Sequence, residues 1–129
     1  MQKITRYATP AGGRRYPPFS MAVRHNGTLY VSGLGPLDPQ GRIARGDFAA
    51  QFARVIENLK SVLAEAGADM TRILKTSVLL VRATDVADMN RLYAATFPAE
   101  HLPARTTSVV SALPVPDFLL EIEAFVAVD

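Results

Sequence analysis

The segment DFLLEIEAFVAVD, residues 117–129, alternates with a period of two and restricts the possible folds more than any other stretch. One set of side chains, Phe118, Leu120, Ile122, Ala124, Val126 and Val128, is uniformly apolar and demands a covering layer. The other set, Leu119, Glu121, Glu123, Phe125 and Ala127, mixes two acids with large apolar groups. Such a face suits a partly buried contact with a second subunit. It equally fits a solvated strand face that carries two glutamates, and the pattern leaves both readings open. Either way the chain needs helices on one side of a sheet, while the far side meets solvent or another chain.

Those helices are legible. In GDFAAQFARVIENLKSVLAEAGAD, Phe48, Phe52, Val55, Ile56, Leu59, Val62, Leu63 and Ala66 form one stripe at helical spacing, with Asp47 as N-cap and Gly67 just past the end. TDVADMNRLYAATF predicts a second helix capped by Thr84 or Asp85, with Val86, Met89, Asn90, Tyr93 and Phe97 on its stripe. Asn90 is a polar amide on that apolar face, where the common role of such a group is to satisfy buried backbone, and Tyr93 and Phe97 read as core. RILKTSVLLVR, 72–82, predicts a strand. Asn26-Gly27 predicts a type I′ hairpin between strands near 20–25 and 28–34, and LDPQG a turn after it. Two last strands, about 105–112 and 118–128, are joined by LPVPD. Residues 1–19, with PAGG and PP, read as an irregular arm. The expected order is β-β-(short β)-α-β-α-β-β, an α+β chain in one domain over 1–129.

Composition removes several functional classes. A chain of 129 residues buries roughly two-thirds of its unfolded surface and needs no staples. With no cysteine, disulfides, a thiolate nucleophile and a Cys-ligated zinc site are excluded. The net charge is only +2 and Arg14-Arg15 is the sole adjacent basic pair, so no nucleic-acid footprint is expected. There is no secretory h-region and no run near the ~20 apolar residues of a membrane span, so a cytoplasmic protein without membrane contact is expected. His25 and His101 are isolated surface histidines, so no metal site is expected. VSGLG is neither a nucleophile elbow nor long enough for a phosphate loop, and Ser32 has no adjacent base.

One cation stands out. LPARTTSVV places Arg105 where a strand begins, and Glu121 lies on the next strand. If both border one cleft, the guanidinium is free to grip a foreign carboxylate through two parallel hydrogen bonds. The alternative is a plain salt bridge from Arg105 to Glu121 or Glu123, worth about 0–1 kcal/mol at a surface.

Taken in order, YVSGLGPLDPQGRI, NLKSVLAEAGAD, ILKTSVLL, MNRLYAATF, LPARTTSVV and LLEIEAFVAV resemble the Rid family, also called YjgF or reactive intermediate deaminase, from about residue 17 to 128. The resemblance implies a chorismate-mutase-like fold: a mixed sheet of about six strands, two helices on one face, and a homotrimer whose sheets form a barrel with a cleft at each subunit interface. It also implies cofactor-free hydrolysis of short-lived 2-enamino or 2-imino acids to 2-keto acids and ammonia. Arg105 then corresponds to the carboxylate clamp and Glu121 to the base that activates water. The Gly33 backbone and the carbonyl near Thr107 hold the nitrogen end, with Ser32 and Asn90 in supporting roles. Phe19 stands where the family usually has a tyrosine, Thr107 where it often has a cysteine, and Leu34 where it has glutamine, which marks a divergent subgroup. A non-catalytic binder of small carboxylates, and a deaminase of a larger aminomuconate-like enamine accommodated by Phe19 and Leu34, are the alternatives. The ribonuclease label of some relatives fits poorly with two lone histidines and no basic patch.

Overall fold

The structure, a computed structural model, describes residues 2–8 and 17–129; Arg14 and Arg15 lie outside them. It contains strands β1 (Thr5–Tyr7), β2 (Ala22–His25), β3 (Thr28–Leu34), β4 (Ile73–Leu80), β5 (Ala104–Val109) and β6 (Leu120–Ala127), and helices α1 (Phe48–Glu65) and α2 (Val86–Thr96). The strands form one mixed sheet in the order β1-β2-β3-β6-β4-β5. Every pair is antiparallel except β4–β5, which α2 connects as a crossover.

The two-faced strand is central. β6 lies between β3 and β4, and Leu120, Ile122, Ala124 and Val126 are all buried beneath the helices. The α1 stripe closes on them, with all eight of its predicted residues buried. The Asp47 carboxylate accepts from the Ala50 amide at 3.0 Å, and Gly67 takes φ +72° just beyond the helix. The hairpin has Asn26 at φ 50° and Gly27 at φ 77°, and the Gly27 carbonyl accepts from the Val128 amide at 2.9 Å, tying down the C-terminal end.

Three expectations change. The sixth strand is not the short one placed before α1. It is β1, inside the segment read as an irregular arm, and it pairs Thr5 with Arg24 and Tyr7 with Ala22. The glycines and prolines that follow mask the β-branched start ITRY. Residues 35–46 form no strand because side chains of α1 take their backbone groups. Asn58 donates to the Gly35 and Leu37 carbonyls, and Gln51 to those of Ala44 and Asp117. Gln51 also accepts from the Leu119 amide at 2.8 Å and is wholly buried, so one amide on the apolar stripe stitches both loops to the helix. Finally, neither Thr84 nor Asp85 caps α2 by its side chain; the buried Asp85 carboxylate instead takes the Arg82 guanidinium at 2.7 and 3.0 Å.

Among the described residues, nothing covers the face of the sheet away from the helices. Tyr30 and Phe125 pair across β3 and β6 with ring centroids 5.7 Å apart, yet remain 47% and 39% exposed. No described helix is long and apolar enough to cross a membrane.

Candidate functional site

The predicted site residues fall into two clusters, and sheet parity explains why. Across β4, Arg105 is opposite Thr76 and Glu121 is opposite Leu79. Thr76 is fully buried under the helices, and Leu79, three positions on, points to the other face. Arg105 and Glu121 of one chain therefore lie on opposite faces of the sheet and do not share a cleft within it. The plain salt bridge is absent too: among the described residues Arg105 pairs with no carboxylate.

The first cluster lies on the open face, in a cleft of about 320 Å³ lined by Phe19, Ser32, Gly33, Ser77, Leu79, Glu121 and Glu123. A β-bulge shapes it. Val31 pairs with Ala124 and Leu34 with Ile122, so Ser32 and Gly33 together oppose a single residue of β6. The Ser32 hydroxyl donates to the Ser20 carbonyl at 2.6 Å and its amide to the Met21 carbonyl at 2.9 Å, which fixes the chain carrying Phe19 at the rim. Gly33 leaves room for the acid: a Cβ there would sit 3.2 Å from Glu121 Cδ. Burial raises the Glu121 carboxyl above the ordinary carboxylate range, and the neighbouring Glu123 charge raises it further. Gly35 answers to packing instead, since a Cβ would lie 2.0 Å from the Phe118 ring.

The second cluster lies on the helix side. The Arg105 guanidinium donates to Asn90 Oδ1 at 2.6 Å, contacts Met89 Sδ at 3.7 Å, and lies over the Tyr93 ring with Cζ 4.7 Å from its centroid. Thr107, opposite Val78, shares this face. Asn90 is exposed and satisfies no buried backbone; it is the acceptor that orients Arg105. Tyr93 and Phe97 are buried, their centroids 4.4 Å apart, as expected of core, but the outer face of Tyr93 carries the cation. Leu34 does not border the cleft. It is buried on the helix side of β3, and the apolar wall belongs to Leu79.

The sequence profile of the family described as "Endoribonuclease L-PSP" matches residues 14–128. A RutC family protein of Pyrococcus abyssi is 43% identical over 108 residues, covering 83% of this chain and 84% of that one. A 2-iminobutanoate/2-iminopropanoate deaminase of Mus musculus is 37% identical over 98 residues, covering 75% of this chain and 72% of its own. A solved structure described as a protein of the conserved Rid family, from Yersinia pestis, superposes with TM-score 0.89 at 33% identity, over 98% of this chain and 100% of that one. The chain belongs to the Rid family. The Rid fold thus extends over nearly the whole chain and includes both clusters. Ser77, Leu79 and Glu123 are cleft residues that the sequence did not single out as such. Alternation along ILKTSVLL separates Ser77 and Leu79 from the buried Val78 and Leu80 and was the signal available.

Proposed function

We propose that this Rid protein is a cofactor-free, cytoplasmic hydrolase of reactive 2-imino and 2-enamino acids, yielding 2-keto acids and ammonia. It acts as a homotrimer in which the Arg105 cluster of one chain faces the Glu121 cleft of the next, with the open sheet faces turned inward as a barrel. The observation that carries the reading is the Arg105 guanidinium, which among the described residues is held by neutral groups alone and is ready for a carboxylate from outside the chain. The mouse relative, named for 2-iminobutanoate and 2-iminopropanoate, supports the reaction class.

The chemistry follows from the residues. Arg105 binds the substrate carboxylate through its fork and orients the C=N carbon. An enamine first takes a proton from solvent at C3 to become the protonated imine, C=NH2⁺. Glu121, ionised, removes a proton from water as the oxygen bonds to C2 and the C=N π pair moves to nitrogen, giving a carbinolamine. The proton held by Glu121 then passes to the amine nitrogen; the C–N bond breaks with its electron pair leaving as ammonia, the oxygen lone pair forms the C2=O carbonyl of the keto acid, and the hydroxyl proton returns to the Glu121 carboxylate. A Glu whose pKa burial and Glu123 raise serves both steps, since it is a stronger base toward water and, once protonated, returns that proton to the nitrogen. The Gly33 backbone and the carbonyl near Thr107 receive the nitrogen end, with Ser32 and Asn90 as supports.

A second reading, a non-catalytic binder of small carboxylates, is favoured by Phe19, which brings no hydroxyl to the rim. The apolar wall of Phe19 and Leu79 also leaves space for a larger, aminomuconate-like side chain. The deciding experiment adds purified protein to freshly generated 2-iminobutanoate and follows 2-oxobutanoate and ammonia. Acceleration is expected; binding of 2-oxobutanoate with no acceleration of any 2-imino acid identifies the binder.

The pH dependence is specific. Activity needs ionised Glu121 and falls on acidification through its raised pKa, so the acid limb of kcat/KM lies above the ordinary carboxylate range. Glu123→Gln removes the like charge, lowers the Glu121 pKa and moves that limb to lower pH. An unmoved limb assigns it to another group.

A further inference from the structure

We propose that Tyr93 is the positioning residue for Arg105: its ring is a platform that holds the guanidinium in place for carboxylate capture, and the Thr76 hydroxyl pins that ring. The inference rests on the reading of Arg105 as the carboxylate clamp and extends it to a residue that never touches substrate.

Three observations converge. Arg105 Cζ lies 4.7 Å from the Tyr93 ring centroid. The Tyr93 hydroxyl and Thr76 Oγ1 are 2.7 Å apart, both residues being buried. Thr76 is also the ladder partner of Arg105 on β4, so the anchor of the ring and the backbone of the arginine sit side by side in one sheet. Asn90, one turn before Tyr93 on α2, adds its acceptor at 2.6 Å from the same guanidinium. Helix and sheet together thus fix ring and cation.

The choice of an aromatic platform has a chemical reason. A carboxylate beside Arg105 would hold it equally well, but would neutralise it and occupy the fork that a substrate must use. A π face attracts the cation without consuming any N–H donor. Asn90 uses a single donor, and the thioether of Met89 is a weak acceptor, so much of the fork stays available. A purely structural Tyr93 would predict a loss of stability alone.

The test compares Tyr93→Leu with Tyr93→Phe in the full-length protein. Both remove the hydroxyl, and only the leucine removes the π face. Two constants are read: the dissociation constant for the keto acid 2-oxobutanoate, by calorimetry, and the Michaelis constant for the imino acid substrate. Both are expected to be about 3–30-fold higher for leucine than for phenylalanine, with kcat within about twofold. Equal constants for the two variants, or a loss confined to kcat, overturn the inference. Thr76→Val and Thr76→Ser provide a near-isosteric pair should the leucine variant not fold. Valine is expected to raise the dissociation constant about threefold, and serine, which keeps the hydroxyl, to restore it; equal constants count against the pin. Because 2-oxobutanoate binding needs no turnover, an inactive wild type that binds it overturns hydrolysis alone, and the leucine and phenylalanine variants still decide whether the ring acts as a platform. A wild type that binds no carboxylate overturns clamp and platform together.

Discussion

Arg105→Ala lowers kcat/KM for a 2-imino acid by about 10²–10⁴-fold, because it deletes two charge-assisted hydrogen bonds worth about 1.5–3 kcal/mol each. The carboxylate is the same group in ground state and transition state, so the loss falls mainly on KM, with a smaller fall in kcat from lost orientation. Arg105 is exposed and has no ion-pair partner among the described residues, so stability changes by less than about 1 kcal/mol. Arg105→Lys restores only a small part of the activity, since an ammonium presents neither a planar fork nor a flat face to Tyr93. Steady-state kinetics on freshly generated 2-iminobutanoate, beside thermal unfolding of each variant, check both statements. An Arg105→Ala protein with unchanged KM would remove the clamp from the mechanism.

Glu121→Gln produces the complementary signature. A general base contributes about 10²–10⁴-fold to the rate of its step, and that factor is lost from kcat while KM stays close to wild type. The substitution keeps the size and shape of the side chain, so its packing against Gly33 is preserved. The acid limb of the pH profile disappears with the carboxyl that titrates there. Loss of the limb together with the loss of kcat identifies Glu121 as the base. Loss of kcat with the limb retained would make it a group that only positions water.

Much of the fold was written in the chain. The two-faced alternation of residues 117–129 requires helices on one side of the sheet and leaves the other side open, and the eight-residue stripe of α1 supplies the cover. Arg105, Glu121, Gly33, Ser32, Asn90 and Phe19 all lie in one or other of the two clusters. What eluded the sequence was three-dimensional parity. That Arg105 and Glu121 sit on consecutive strands says nothing about which faces they occupy. Only the ladder, with β4 between β5 and β6, turns them to opposite sides. The same limit hid the platform, because a buried tyrosine at helical spacing reads as core until the strand beside it is known. β1 was masked by adjoining glycine and proline, and the role of Gln51 by its place within an apolar stripe.

Opposite faces make the shared site the central claim, and mixing two inactive chains tests it most directly. Arg105→Ala and Glu121→Gln proteins, each nearly inactive on the proposed mechanism, are co-expressed in equal amounts so that the proposed trimers contain both chains, and turnover of 2-iminobutanoate is measured. If each site takes its arginine from one chain and its glutamate from the next, about a quarter of the interfaces carry both groups, and about a quarter of wild-type activity returns. Mixed trimers that remain as inactive as the separate variants would contradict the account.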